Sequence, residues 1–207
     1  MKKLILYFSC VFLTTSVLAQ SENETEAEEK KGFKKENLFS GGSVSFSFFN
    51  KAFLIGANPV FGYSLTRWAD AGIVGNINYS SQNDYGFVED AKLRQTIYGG
   101  GVFTRLFPVK FLFAQAQFEH NIIRQKYMPP NNGNAFIDKV SGNSFLVGGG
   151  YTTGRNPDAK NGFFYLSILF DISDNQYSPY KDESNRVIPI IRAGFHIPLF
   201  RGEKTLD

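Results

Sequence analysis

From residue 39 to residue 200 the chain alternates between apolar and polar side chains with a period of two. In the segment 112–119, LFAQAQFE, one face carries Gln115, Gln117 and Glu119, and the other carries apolar residues. This is the period of a β-strand, because successive side chains point to opposite faces of a sheet. The pattern therefore predicts an all-β fold of eight strands. Their approximate bounds are 40–50, 53–65, 71–82, 92–107, 110–124, 143–153, 162–173 and 187–200.

Alternation alone does not decide which face points inward, since a soluble barrel or sandwich hides its apolar face and a membrane barrel turns it to lipid. The connections favour the membrane barrel. Short joints at 66–70 and 107–110 alternate with long polar loops at 81–92, 124–142 and 174–186. The sequence thus predicts an eight-stranded antiparallel up-and-down transmembrane β-barrel, whose lumen at this strand number is filled by side chains.

Aromatic residues at the predicted strand ends support the same topology. Tyr and Trp are enriched where a membrane meets water, and outer-membrane barrels carry aromatic girdles at both interfaces. The interfacial aromatic residues are predicted to be Tyr63, Trp68, Tyr79 and Phe107.

The first residues have the pattern of a secretory signal peptide. Lys2 and Lys3 precede an apolar segment at 4–13, and Val17-Leu18-Ala19 forms a cleavage site. The one cysteine, Cys10, lies inside that segment, so a disulfide scaffold in the mature chain is excluded. The expected organisation is a signal peptide at 1–19, a flexible charged periplasmic lead at 20–38, the barrel at 39–200 and a short tail at 201–207, with the protein located in the cell outer membrane.

Three short motifs occur in order along the barrel. They are Pro59-Val60-Phe61-Gly62-Tyr63, then Gly101-Val102-Phe103-Thr104-Arg105-Leu106-Phe107-Pro108, then Arg192-x-Gly194-x-x-Ile197-x-Leu199. With them, residues 39–200 resemble the small outer-membrane β-barrel proteins of Bacteroidetes-type bacteria, which are OmpA/OmpX-like in architecture. The resemblance implies a carboxy-terminal signal, read by the barrel assembly machinery, formed by Arg192, Gly194, Ile197, Leu199 and Phe200. Here 201–207 follow Phe200, whereas the family often ends on the aromatic residue.

Charged residues on the inward face are the most informative candidates for a site. Strand parity places Arg105, Glu119, Asp171 and Arg192 in the lumen. Because buried charges need partners, they predict an ion network. The network is interpreted as a structural plug, with a gate as the alternative. Asp171 and Arg192 are expected to be cross-strand neighbours, since the loop joining their strands is centred near residue 180.

The residues needed for catalysis do not come together in the sequence. Glu119 and His120 are adjacent and face opposite sides of their strand, while His196 points inward. The glycine triplets at 99–101 and 148–150 lack the Lys and Ser/Thr of a phosphate-binding loop. We therefore expect no enzyme activity, no cofactor and no metal site.

The expected function is a structural or surface-interaction role. The formal charge of +3 is too small to indicate nucleic-acid binding. Expected partners are outer-membrane lipid and lipopolysaccharide, an extracellular partner that the sequence does not name, and the assembly machinery, with the barrel itself a monomer. Two alternatives stay open: a narrow solute channel gated by lumen ion pairs, and an outer-leaflet lipid-modifying enzyme. Basic residues expected at the level of lipid phosphates are Lys51, Lys92, Arg94, Arg124 and Lys126.

Overall fold

The structure is a computed structural model that describes residues 33–49, 51–85, 88–131, 133–155, 161–182 and 184–200. All the elements given below belong to the compact unit Lys34–Asp207. The predicted signal peptide at 1–19, most of the predicted lead and the tail at 201–207 lie outside the described residues.

Eight antiparallel strands form a closed barrel in which each strand pairs with the next and the last pairs with the first. This confirms the predicted fold class. A single turn of 3₁₀-helix at Lys35–Asn37 precedes the first strand. The strands are β1 Leu38–Phe49, β2 Ala52–Thr66, β3 Ala69–Asn83, β4 Lys92–Val109, β5 Leu112–Met128, β6 Phe136–Thr152, β7 Phe163–Asp171 and β8 Ile190–Pro198.

The barrel is apolar outside and polar inside. Along β7 the odd-numbered residues are buried, whereas the even-numbered Phe164, Leu166, Ile168 and Phe170 are exposed. Buried polar side chains line the inside of the other strands, with Glu119 on β5 as the most central. A sheet that faces lipid needs this inverted pattern, because an apolar surface meets the hydrocarbon and polar groups meet the lumen.

In the part of the chain that the structure describes, no helix is both long and apolar enough to cross a membrane.

The two ends of the barrel differ. At the end that carries both described chain termini, here called the terminal end, β2–β3 and β4–β5 are joined by tight turns at 67–68 and 110–111. At the opposite loop end, the connections span 84–91, 129–135 and 172–189. Five of the seven connections between the strands follow the predicted alternation of short and long. The two exceptions are the short β1–β2 connection at 50–51, at the loop end, and the long β6–β7 connection at 153–162, at the terminal end.

The predicted loop at 124–142 is wrong over most of its length. β5 continues to Met128 and β6 begins at Phe136, with Tyr127 paired to Phe136. Polar residues occupy both faces of this extension, with Gln125 and Asp138 on one face and Arg124 and Lys139 on the other. The alternation that marks a strand in the sequence is therefore lost, while the backbone ladder continues.

Candidate functional site in the lumen and at the loop end

Glu119 is the centre of the lumen. Its side chain is fully buried, and four side chains donate hydrogen bonds to its carboxylate. Oε1 accepts from Arg192 Nη2 at 2.9 Å and from Gln117, and Oε2 accepts from Tyr180 at 2.7 Å and from Asn121 at 3.0 Å. Each of the two buried carboxylate oxygens therefore accepts two hydrogen bonds, so no lone oxygen of Glu119 is left without a donor.

Inward residues of β5 extend these contacts along the barrel axis. Gln115 donates to Gln117 at 2.7 Å, and Arg105 Nε donates to Gln115 at 2.8 Å. On the other side, Arg192 Nε donates to Ser45 at 3.2 Å. We call this hydrogen-bonded set the lumen network; it comprises Ser45, Asn58, Asn76, Arg105, Gln115, Gln117, Glu119, Asn121, Tyr180 and Arg192.

All four charged residues expected in the lumen are buried there, but they have different partners. Glu119 and Arg192 form an ion pair. Arg105 joins them through the glutamines, and its guanidinium lies 4.2 Å from the centre of the Tyr165 ring. Asp171 accepts from the backbone N–H of Phe145 at 3.0 Å and from the Ser178 hydroxyl.

The expected pair of Asp171 with Arg192 is wrong. The register places Ser167 opposite Arg192, and Leu169 opposite Ile190 at the end of the β7–β8 ladder. Asp171 lies beyond that ladder and pairs with Leu146 on β6 instead. Estimating the register from the loop centre failed because the connection 172–189 does not continue the ladder but folds into the barrel.

The connection 172–189 closes the loop end of the lumen. Ser178 bonds to Asp171 and lies 3.0 Å from Ser144 Oγ, and Tyr180 reaches Glu119. The Tyr180 ring is buried in a layer that we call the apolar tier, formed by Leu54, Ile97, Ile123, Leu146, Leu169, Tyr180 and Ile190. The sequence predicted Tyr180 in the long polar loop 174–186, suited to contact with lipopolysaccharide or an outside partner or to plain solvation. The one available signal was the aromatic pair Tyr177 and Tyr180 within an otherwise polar segment.

A second buried ion pair lies at the terminal end, and sequence reasoning missed it. Arg155 Nη2 lies 2.6 Å from Asp70 Oδ1 and also donates to the carbonyl of Thr66 at 3.2 Å. The guanidinium lies 4.4 Å from the centre of the Phe107 ring. Arg155 follows β6 in the connection to β7, and nothing in the sequence pattern placed it beside Asp70.

Phe107 is not an interfacial residue, contrary to the prediction. It is 5% exposed and packs against Phe113 and Phe163 inside the barrel. Phe107 lies two positions after Arg105 on β4 and therefore shares its inward face. The other three predicted aromatics are on outward positions. Trp68 and Tyr79 are exposed, and the hydroxyl of Tyr63 accepts the backbone N–H of Lys34 at 3.0 Å.

The proposed assembly signal lies on β8 and just after it. Arg192 and Gly194 face the lumen, whereas Ile197, Leu199 and Phe200 are exposed on the outside. A Cβ atom at Gly194 would lie 2.6 Å from Cζ of Tyr165, so glycine is required for that ring to fit.

The two histidines occupy unrelated places. His196 is stacked between Phe39 and Phe163, with ring-centre separations of 4.0 and 4.4 Å. His120 faces outward, with Nδ1 2.6 Å from Asn143 Oδ1. Across the described ranges, no group of three or more His, Cys, Asp or Glu side chains is placed to hold a metal ion.

Four basic side chains form a strip on the outer face of the β4–β6 extension. Arg94 is the cross-strand partner of Lys126, and Arg124 is the partner of Lys139. All four are exposed, and no ion pair between described residues includes them. We call these residues the basic strip. It begins one outward row beyond the apolar pair Tyr98 and Ile122.

Lys51, which was expected at the level of the lipid phosphates, has an acidic partner within the protein. Its Nζ lies 2.6 Å from Asp84 Oδ2. The hydrogen bond between them raises the pKa of Lys51 and lowers the pKa of Asp84. Lys51 is therefore already neutralised at the protein surface.

No protein-family model matches the chain, and no curated protein matches it. Several solved structures are similar to it in fold, among them the following three. Ail, the attachment invasion locus protein of Yersinia pestis, is 12% identical with a TM-score of 0.44, over 77% of this chain and 94% of that one. The N-terminal β-barrel domain of Pseudomonas aeruginosa OprF is 13% identical with a TM-score of 0.43, over 78% and 98%. Neisserial surface protein A is 11% identical with a TM-score of 0.41, over 78% and 96%.

Proposed function

We propose that this protein is a bacterial outer-membrane β-barrel with a structural or surface-interaction role and without catalysis. The observation that carries the proposal is the closed lumen: Arg192 and Tyr180 both donate hydrogen bonds to the Glu119 carboxylate across the barrel interior. Above them, the apolar tier spans the lumen at the loop end. A barrel filled in this way is a rigid scaffold that positions the loops at its ends and the side chains on its outer face.

The orientation follows from export. A chain delivered by a signal peptide begins in the periplasm, and eight crossings return its other terminus to the same side. The terminal end is then periplasmic, and the connections 84–91, 129–135 and 172–189 face the outside of the cell. The surface-interaction role belongs to this loop end.

The partner that we propose for the outer face is a phosphorylated lipid of the outer leaflet, of the lipopolysaccharide kind. Like charges placed directly opposite on neighbouring strands destabilise a sheet, and the basic strip has two such pairs. Phosphate groups between Arg94, Lys126, Arg124 and Lys139 would remove that repulsion and bind the guanidinium groups through paired hydrogen bonds. The position of the strip, just beyond the apolar belt, is where lipid phosphates lie.

Single cysteines test the orientation, since the mature chain as expected contains none. Asn134, in the connection 129–135, should react with a membrane-impermeant maleimide on intact cells, and Lys110, in a tight turn, should react only after lysis. Reaction at Lys110 alone in intact cells would reverse the topology.

A thermal-shift measurement tests the lipid partner. Purified barrel in detergent should unfold at a higher temperature when lipopolysaccharide is added, and dephosphorylated lipopolysaccharide should have a smaller effect. The variant Arg124→Gln with Lys126→Gln should lose most of the shift, and the control Lys110→Gln should keep it. An equal rise in unfolding temperature in the native protein, the double variant and the control would show that the basic strip is not the lipid site.

Planar-bilayer recording separates the proposed role from a channel. The filled lumen should show no steady conductance. A reproducible open level in the native protein would instead support the narrow-channel alternative.

A further inference from the structure

Beyond the apolar tier, at the loop end, the barrel opens into a cavity of about 510 Å³. One wall consists of inward-facing residues from the extended parts of β3 to β6. The other wall is the connection 172–189, including Gln176 and Tyr177. We call this cavity the polar cup. Its volume lies within the range of about 300–1,000 Å³ that is usual for small-molecule sites.

A continuous row of polar side chains crosses the strand wall. Ser80 is the partner of Gln95, Gln95 is the partner of Gln125, and Gln125 is the partner of Asp138. All four line the polar cup. Directly opposed residues in an antiparallel pair have Cβ atoms about 4.5–5.5 Å apart, so adjacent members of the row can bond to one small ligand together.

The side-chain amides of the two glutamines in the row bond to no other residue that the structure describes. Both are half-buried, and none of the hydrogen bonds between described residues involves either side-chain amide. A half-buried amide that bonds to no protein group is an available donor and an available acceptor in a place with restricted access to water. Gln115 and Gln117, deeper in the barrel on β5, carry the same side-chain amide, but their amides already form hydrogen bonds within the lumen network.

The floor of the polar cup is closed. Ile123 lines the cup and also belongs to the apolar tier, and the ring of Tyr180 fills that same layer. The cup is consequently a blind pocket and not the entrance to a passage. A solute that enters meets an apolar floor and a polar wall.

The charges that line the polar cup nearly cancel. Asp182 is bound to Arg186 Nε at 2.7 Å, which leaves Asp138 and Lys181 with opposite signs. A neutral ligand with many hydroxyl groups suits this lining, because each side-chain amide can donate to one hydroxyl and accept from its neighbour. An extended peptide would instead bind along a strand edge through its main chain, whereas the row lies on the face of the sheet.

We infer that the polar cup is a binding site for a neutral glycan, held by Gln95 and Gln125, with Tyr177 supplying an aromatic surface for a sugar ring. The inference deepens the proposed surface-interaction role by naming a ligand class at the loop end. It concerns a different face from the basic strip and does not depend on lipid binding there. Purified protein tests it without reference to orientation in a cell.

The probe is an array of neutral oligosaccharides printed beside sialylated and sulfated ones, read with the full chain folded in an amine-oxide detergent. A detergent with a sugar headgroup would compete for the site. Binding of neutral members is expected, and the strongest is then titrated by calorimetry. Gln95→Met with Gln125→Met keeps the side-chain length and removes the amides, so affinity should fall at least about tenfold.

Thr96→Val is the matched control, because Thr96 is next to Gln95 and faces outward. It should bind like the native protein. Tyr177→Ala, in the connection and outside every strand, is a second variant that leaves the ladder intact, and it should also weaken binding. Failure to bind any neutral glycan would overturn the inference, as would unchanged affinity in the double variant. Binding that is limited to sulfated oligosaccharides and is abolished by Arg124→Gln would place the glycan on the basic strip. That result would also overturn the inference.

Discussion

The hydroxyl of Tyr180 lies 2.7 Å from a carboxylate oxygen of Glu119, although 61 residues separate the two in sequence. Tyr180 belongs to the connection 172–189, and Glu119 belongs to the wall of the barrel. This single hydrogen bond therefore fixes a loop to the lumen. It also makes the loop part of the buried core, because the tyrosine ring completes the apolar tier.

Removing that hydroxyl should destabilise the barrel. Tyr180→Phe keeps the ring in the apolar tier and leaves Glu119 Oε2 with the Asn121 amide as its remaining donor. A hydrogen bond to a charged group contributes about 1.5–3 kcal/mol, so the free energy of unfolding should fall by a similar amount. Urea titration of the barrel in lipid vesicles measures it. Tyr177→Phe is the control, since that ring is half exposed, and equal stability of both variants would argue against the bond.

Glu119 and Arg192 should be energetically coupled. Removing one member of a buried ion pair leaves the other charge without compensation, which costs roughly 3–5 kcal/mol. Glu119→Ala and Arg192→Ala should each lower the unfolding midpoint, and the double variant should recover part of the loss. Asp171→Ala combined with Arg192→Ala should instead be close to additive, because these two residues have separate partners. Additive losses for Glu119 and Arg192 would disprove the coupling.

The ion pair between Arg155 and Asp70 at the terminal end should stabilise the turn between β2 and β3 as well as the barrel. Arg155→Met keeps much of the side-chain volume over Phe107 and removes the bonds to Asp70 and to the backbone at Thr66. Buried Asp70 would lose its cation, so we expect destabilisation of roughly 3–5 kcal/mol. Faster amide hydrogen exchange at 66–70 than at 110–111 would locate the effect. Exchange that stays unchanged at both turns would mean that Arg155 does not hold the first one.

The outward face can be tested at one pair of adjacent residues. Ile168 is exposed at the middle of β7, and Ser167 is buried beside it. Ile168→Arg should cost about 2–4 kcal/mol near the bilayer midplane, because the guanidinium would face hydrocarbon. Ser167→Arg should fail by crowding the lumen near Arg192, which is its cross-strand partner. If Ile168→Arg were as stable as the native protein in lipid vesicles, Ile168 would not face lipid.

Strand parity was enough to predict the faces of the barrel but not the partners within it. The inward positions of Arg105, Glu119 and Arg192 follow from a period that covalent geometry imposes on any strand. The same parity places Phe107 inward beside Arg105, so the girdle prediction at that residue was avoidable. The partner of Arg192 was not predictable in this way, since Glu119 lies three strands away around the ring.

The extension of the β5–β6 hairpin and the polar cup also could not be predicted from the local sequence pattern. Beyond Arg124, both faces of the β5–β6 hairpin mix polar and apolar residues, with the pair Lys126–Ile137 on one face and the pairs Gln125–Asp138 and Tyr127–Phe136 on the other. The backbone pairing, and not the sequence pattern, identifies this part as strand. The polar cup exists because that ladder continues and because Tyr180 turns back into the barrel.

The sequence by itself determined that this chain forms strands and which side chains share a face, because alternation is a local property of extended backbone. The lengths of the connections, and not the alternation, indicated which face points outward. The tertiary structure alone decided that Glu119 meets Arg192 and Tyr180, and that Asp70 meets Arg155. Those contacts join residues far apart in the chain, and their positions are set by ring closure, strand stagger and the path of the connection 172–189. The alternation of side chains along a strand contains no information on ring closure, on strand stagger or on the path of that connection.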